Sequence, residues 1–400
     1  MPGRRFLRGR KSMPKLELKR PLLVLASPAM RVHFILRTAK FSGGRLVIGR
    51  HANDLAQKGH DVTIWVCNNT EIDWMEVRAR CESVAGRPFS RLPPADVCIV
   101  DRHGLAAAVQ RAGIGITVHF CQGFDGTDAQ IRLSEALQKG PLGWLEVWKQ
   151  WRRLRQIDRA YRLPTAKLVV HPHLASLVRR RYGQESHLVP NGLPDGVFTP
   201  QQNRSFEGQT ILVVGQTGVK CKRLTDAFEA VARLKKNRPN VRLVRASPDD
   251  MDPAEKALAV ADEYHARLNP AGMADLYRRA DIFVCTSNEA EGFGLPLLEA
   301  LACGLPAVVT DISAFREFSQ PQDFAHFTPV GDPIELSHAI ARLLDDSAER
   351  RRLSHRGVEV ANAYTMERSF QAMEQALVAI MSDHARPKAP VLDLQPPQSV

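Results

Sequence analysis

Two glutamates, Glu291 and Glu299, stand eight positions apart in the stretch EAEGFGLPLLEALACGLP, residues 289–306, around a glycine turn and a proline. The apolar run DIFVCTS ahead of them has the composition of a buried strand. Pro296 suits a first helical position, where its missing N–H would have had no partner anyway. Gly304, followed by Pro306, makes a good helix stop. Gly292, Phe293, Gly294 and Leu295 then fall at a helix N-terminus, whose bare N–H groups and partial positive charge attract anions. The glycines let a ligand approach the backbone closely. Glu291 precedes the turn, and Glu299, one turn into the helix, looks back toward the same place. Carboxylates bind vicinal diols well. One acid on a sugar, another on a ribose and amides on a diphosphate between them describe a nucleotide-sugar site. The competing description is an acidic loop and a solvated helix face.

The elements that must position this turn alternate along the chain. Apolar runs at 32–36, 61–67, 95–101 and 114–120 predict strands, and helical periods lie between them. The grammar repeats with strands at 210–215, 241–246, 281–286 and 307–311, and helices at 224–236 and 273–280. Such alternation implies parallel sheets with helices on both faces. Residues 194–207, PDGVFTPQQNRSFE, read as the linker. Two doubly wound halves make a cleft at their junction, and ligands of open parallel sheets bind beyond the carboxyl ends of the strands.

Composition bounds the rest. Of 400 residues, 44% are hydrophobic and 24% charged, which gives ample core for two domains. The seven cysteines form no CxxC and read as reduced thiols in a cytoplasmic protein. No apolar run is long enough for a membrane helix. Residues 1–20 hold eight Lys/Arg and one acid, and the apolar piece PLLVLASPAM follows. The apolar piece is short and RVHFIL behind it reads as a first core strand, so the start is taken as a disordered basic tail, with Met30 as an alternative start, rather than a signal peptide. Charge is uneven: residues 1–195 carry 32 Lys/Arg against 16 Asp/Glu, the remainder 23 against 27. The basic half should prefer an anionic surface or substrate. Within it, residues 143–164 place Trp144, Trp148 and Trp151 on one helical stripe among Lys149, Arg152, Arg153, Arg155, Arg159 and Arg162. This segment either meets an acidic membrane interface or uses its Trp residues as core. Nothing beyond charge points to nucleic acid.

The stretch EGFGLPLLEALACGLPAVVTD resembles the signature of the family-four retaining glycosyltransferases of the GT-B fold, whose E-x7-E motif would span Glu291 to Glu299. Other stretches are similar too: FSGGRLVIGRHANDLAQKGHDVTIW to the first glycine loop and helix, HLVPNGLPDGVFTP to the crossing into the second domain, MADLYRRADIFVCTSNEAEGFG to the nucleotide-side helix and strand, and YTMERSF to the terminal helix. The resemblance runs from about Met30 to Asp383. It implies an α/β chain of GT-B type, two doubly wound Rossmann-like domains facing a central cleft. Their extents would be a basic tail at 1–29, an acceptor-side domain at 30–195 and a nucleotide-sugar-binding domain at 196–363. A helix at 364–383 would cross back to the first domain, ahead of a disordered Pro-rich tail at 384–400. It implies a sugar moved with retained configuration from a nucleotide-sugar donor to a glycan or lipid-linked acceptor, in envelope polysaccharide or glycoconjugate synthesis, without cofactor or metal. The enzyme would be cytoplasmic, with 144–162 offering contact to the inner face of the membrane.

Carried over residue by residue, Glu291 would contact the donor sugar and Glu299 the ribose. The amides of Gly292, Phe293, Gly294 and Leu295 would hold sugar and diphosphate, and Gly43 and Gly44 would form the loop near the diphosphate and acceptor. The family pattern places an Arg and a Lys after the first strand of the second domain. In VGQTGVKCKRLTDAFEA, Gln216 stands at the Arg position and Lys222 matches the Lys, with Lys220 and Arg223 as rivals. Glutamine brings neither charge nor a bidentate fork, which leaves open a non-catalytic nucleotide-sugar-binding relative. A nucleotide-sugar epimerase on the same fold is a further alternative. In ITVHFCQGFDG, His119 and Gln122 compete for the sugar-side polar role, with His119 preferred. Asp250-Met251-Asp252 and His171-Pro172-His173 look like metal motifs but read as structural.

Overall fold

RVHFIL and DVTIWV bury every residue but their first, as strands covered by helices on both faces must. In the computed structural model, which describes residues 29–385 apart from 69, 70, 85, 87 and 203, these two runs lie side by side. Of the basic stretch expected at 1–29 and the disordered Pro-rich stretch expected at 384–400, residues 1–28 and 386–400 lie outside the described residues, while 384 and 385 instead close the last helix. The first sheet holds β1 (Arg31–Leu36), β2 (Asp61–Val66), β3 (Arg80–Ser83), β4 (Val97–Val100), β5 (Ile116–Cys121), β6 (Ala166–Val169) and β7 (His187–Leu188). The second holds β8 (Thr210–Val214), β9 (Arg242–Ser247), β10 (Glu263–Ala266), β11 (Ile282–Cys285), β12 (Ala307–Thr310) and β13 (His326–Thr328).

Both sheets are parallel, in the orders β3-β2-β1-β4-β5-β6-β7 and β10-β9-β8-β11-β12-β13. Two doubly wound Rossmann-like units of this kind are the GT-B architecture. Each order reverses next to its first strand, at β1/β4 and β8/β11. The loops leaving those strands diverge there and open a crevice. The expected strands are all present. The strands that were not expected, β3, β6, β7, β10 and β13, are short, and β3 and β10 lie at sheet edges, where RCES and EYHA stay partly exposed. Half-exposed four-residue segments carry too little apolar periodicity to be read.

The chain crosses between the units twice in one place. Leu193 bridges Thr365 in parallel, and the helix Met366–Ala385 then packs on the first unit's helix Gly43–Gln57. Ser369 Oγ lies 3.3 Å from the buried His51 Nε2, Phe370 meets the His51 ring edge-on at 5.5 Å, and Lys58 pairs with Glu374 at 3.0 Å. One hydrophobic cluster runs through both units, from Phe34 and Ile64 to Phe293, Leu297 and Leu377. No helix among the described residues is long and apolar enough to cross a membrane.

Candidate functional site

The glycine turn follows β11 as expected, and the helix behind it runs Leu295–Ala302 with Gly294 as its N-cap. Gly294 has φ +95°, and a Cβ there would lie 2.5 Å from Phe315 Cε1, so only glycine fits. A Cβ on Gly292 would lie 1.9 Å from the Gln122 carbonyl oxygen. The turn is therefore pressed against the loop that leaves β5 in the other unit. Gly43 and Gly44, which open the helix Gly43–Gln57 behind the Ser42 N-cap, face the same junction. A Cβ on Gly43 would meet Leu295 Cδ1 at 3.6 Å, and one on Gly44 would meet Gln122 Cγ at 3.3 Å. Phe293 turns its side chain away, into an aromatic cluster with His171, Phe318 and Tyr364.

Glu291 meets Lys222. The ammonium Nζ donates to Oε2 at 2.7 Å, and Ser287 Oγ donates to the same oxygen at 2.7 Å. Burial alone would raise the Glu291 carboxyl, but Lys222, Ser287 and the Gly292 N–H outweigh it and hold it below the ordinary glutamate range. Burial would likewise lower the Lys222 ammonium, and Glu291 reverses that, so the lysine stays charged. The backbone stitches the two loops together. Thr286 Oγ1 donates to the Lys222 and Arg223 carbonyls at 2.8 and 3.0 Å, and Asn288 N–H to the Cys221 carbonyl at 2.8 Å. Of the rival cations, Arg223 is committed to Asp226 at 2.7 Å, and Lys220 points across the junction toward Glu135, 3.9 Å away.

Glu299 is buried differently. Tyr277 OH donates to its Oε2 at 2.9 Å, and burial, only partly countered by Tyr277, Arg50 and Lys222, raises its carboxyl from the ordinary 4.5 to about 7. The two carboxylates of the motif thus have opposite tendencies, one held ionised by a lysine and the other poised near neutrality.

Gln216 does not join them. It extends outward and donates through Nε2 to Asp249 Oδ2 at 2.7 Å. Beneath its loop lies Arg245, wholly buried, bonded to Glu255 at 2.7 Å and to the Val213 and Gly215 carbonyls at 2.6 and 2.9 Å. This cation braces the loop from below and is enclosed by protein groups.

Between the units lies a cavity of about 460 Å³. Gly44, His119, Gln122 and Asp125 line it from one side, and Lys220 and Gly292 from the other. His119 is deep within the first unit. Burial, with Lys167 nearby, lowers its imidazole to about 3, and its Nδ1 lies 3.5 Å from Cys121 Sγ. Gln122, which lines the cavity, has a buried Nε2 with no partner among the described residues. Asp125 pairs with His103 at 2.9 Å; burial would raise its carboxyl, but His103 prevails and lowers it.

Sequence reasoning missed Ser287, Tyr277, Arg50 and Asp125. A buried tyrosine needs a hydrogen-bond partner, so Tyr277 was findable in principle; Arg50 and Asp125 face the site only through the packing of two units. Asp250 and Asp252 are accounted for structurally. Asp250 pairs with Arg267 at 2.7 Å, and Asp252 caps the helix Pro253–Leu258. The Trp stripe is exposed: 75% for Trp144, 52% for Trp148 and 45% for Trp151, so it is not core.

Comparison with known proteins bears on the family resemblance and the fold. Residues 198–360 match the family model described as glycosyl transferases group 1. A phosphatidyl-myo-inositol mannosyltransferase of Mycobacterium leprae is 26% identical over 208 residues, covering 50% of this chain and 56% of that protein. The chain thus aligns with about half the length of the curated relatives it matches. Sucrose-phosphate synthase of Thermosynechococcus elongatus superimposes with a TM-score of 0.70 at 17% identity, over 88% of this chain and 100% of that one. Anabaena Alr3699/HepE, solved with UDP-glucose, does so with 0.67 at 12%, over 88% and 100%. Residues 198–360 of the second domain are thus similar to the group 1 glycosyl transferases, and the two units form the GT-B fold.

Proposed function

We propose that the chain transfers a hexosyl or deoxyhexosyl group, with retained configuration, from a nucleotide-sugar to a glycan or lipid-linked acceptor in envelope glycoconjugate synthesis. The observation that carries this reading is the Lys222–Glu291 pair at the glycine turn, whose chain neighbours Cys221, Ala290 and Gly292 line the cavity shared by both domains. Departure of a nucleoside diphosphate builds negative charge, and a fixed ammonium beside it lowers the barrier. Lys222 is held charged and in place for that task. Glu291 would accept from donor-sugar hydroxyls and Glu299 from the ribose. Gln122 and His119 line the acceptor side. No carboxylate is needed as a nucleophile: transfer on the front face uses the leaving phosphate to take the acceptor proton. The names of the relatives, a mannosyltransferase and a sucrose-phosphate synthase, favour a hexose.

Calorimetric titration of the purified chain with UDP, GDP, ADP and dTDP, without added divalent metal, tests the reading. One nucleotide should bind selectively, and Glu299→Ala should abolish the binding. A folded chain that binds none of them refutes the proposal.

A second reading, a binding relative without turnover, is favoured by Gln216, which is tied to Asp249 and brings no charge. Gln216→Arg distinguishes the two. A large gain in turnover marks a weakened enzyme. Unchanged, measurable turnover means Lys222 already suffices.

The acceptor is proposed to be presented at an acidic membrane surface by the helix Trp144–Tyr161. Leu142 is 94% exposed and Leu145 65%. Arg152 and Arg155 lie over the Trp148 and Trp151 rings at 4.5 and 3.8 Å. Apolar rings with guanidinium groups laid on them suit a boundary between acyl chains and anionic headgroups. Co-sedimentation with anionic but not neutral vesicles, lost in the Trp144→Ser/Trp148→Ser double variant, is the expected result.

A further inference from the structure

His171 and His173 stand where β6 gives way to the helix Pro172–Tyr182 in the first domain, and Glu317 follows the short helix Ser313–Arg316 in the second. The chain brings the three together across the domain junction. His171 Nδ1 lies 3.0 Å from His173 Nδ1 and 3.4 Å from Glu317 Oε2, and all three ligand atoms fall within 4.8 Å of one another. In tetrahedral coordination with metal–nitrogen bonds of about 2.0–2.1 Å, neighbouring ligand atoms are roughly 3.3 Å apart. Two edges of this triangle already have that length.

The surroundings also fit an ion better than a simple hydrogen bond. A shared proton between the two Nδ1 atoms would account for that contact alone. It would not bring in the Glu317 carboxylate, whose Oε2 lies 3.4 Å from the same His171 Nδ1. Glu317 accepts the His173 backbone N–H, which orients the carboxylate as outer hydrogen bonds orient metal ligands. The His171 ring is clamped edge-on between Phe293 and Phe318, at 5.3 and 5.5 Å, both from the second domain. The imidazole is therefore inserted into the partner domain's aromatic cluster, and its position cannot drift. Extended backbone at His171 followed by a first helical turn puts both rings on one side, an arrangement that the dipeptide spacing alone did not reveal.

We propose that His171, His173 and Glu317 bind one zinc-class divalent cation, with a fourth position open to water. The site is a clamp. It ties the end of β6 to the segment that supports Phe293, and so holds the glycine turn against the first domain. Its ligands are not the groups assigned to the transfer chemistry, although His173 lies within reach of the Glu291 charge, and it requires no metal at the donor.

The test uses the full chain without a histidine tag, stripped with a strong chelator and titrated with Zn²⁺ against a chromophoric competitor. One equivalent should bind. Glu317→Gln and His173→Leu should each weaken binding at least tenfold. Co²⁺ should give the intense visible absorption of a tetrahedral site, absent in both variants. Far-UV circular dichroism of the stripped variants verifies that they are folded, and the partly exposed Glu317→Gln leaves the core untouched. Sub-stoichiometric binding by the folded chain, or binding of equal strength in both variants, overturns the proposal.

Discussion

Removing the ammonium of Lys222 leaves Glu291 ionised in a buried place, with only Ser287 and a backbone N–H to satisfy it. The two side chains are 17% and 11% exposed, so solvent compensates little. Lys222→Ala should destabilise the chain by about 3–5 kcal/mol, the usual penalty for orphaning one member of a buried pair, and lower turnover by about 10²–10³. Lys222→Ala combined with Glu291→Gln should recover most of the stability and none of the turnover. Denaturant melts and initial rates on the three variants separate the two effects. Glu299 predicts a pH dependence of its own. It ionises near 4.5 in the unfolded chain and near 7 in the folded one. Between those values the folded state binds more protons. The stability contributed by this group is therefore fully present below about 4.5 and is lost as pH rises through about 7, by about 3 kcal/mol. Glu299→Gln should flatten that slope in urea melts across pH 4.5–8. Ribose hydroxyls donate to the ionised form, so nucleotide affinity should fall below pH 7 by up to about tenfold per unit. Binding at pH 6 should release a proton, seen calorimetrically as a dependence of the heat on buffer ionisation.

The second domain's glycine turn touches the Gln122 backbone of the first domain, and the contact works only because Gly292 carries no side chain. Gly292→Ala would drive a methyl into the Gln122 carbonyl. Backbone cannot swing aside as a side chain can, so the loops must part at a cost of about 1–3 kcal/mol. The expected signs are a lower melting temperature and a larger radius of gyration by small-angle scattering, with turnover reduced far more than nucleotide affinity. The turn and its helix were legible from the sequence because glycine and proline have narrow positional meanings and the strand ahead is uniformly apolar. Glu291 and Glu299 were legible for the same reason, since they bracket the turn. Lys222 was ambiguous with Lys220 and Arg223. The choice among them depends on the left-handed conformation at Arg223 and the Thr286 bonds, neither of which has a composition signature.

At the scale of the molecule, the helix Met366–Ala385 belongs by sequence to the second half and by packing to the first. Ending the chain at residue 363 would uncover His51, which is buried and whose imidazole burial lowers to about 3, and the apolar surface around Leu55. The truncated chain should therefore lose the first domain's thermal transition at a temperature where the second domain still holds its own. Differential scanning calorimetry resolves the two. A single unchanged transition would mean that the crossing helix contributes nothing to the first domain.

The sequence by itself determined the class of fold, the place of the cleft-facing turn and the acids around it. Those follow from local rules: apolar period, glycine and proline positions, and the fixed offset of residues along one helix. Only the tertiary structure decided which cation reaches Glu291, that Gln216 turns away to Asp249, that the tryptophan stripe faces outward, and that two histidines meet a glutamate some 140 positions later. Each of these is a contact or an exposure set by how two domains pack. Its energy depends on groups far apart in the chain, and no local pattern encodes it.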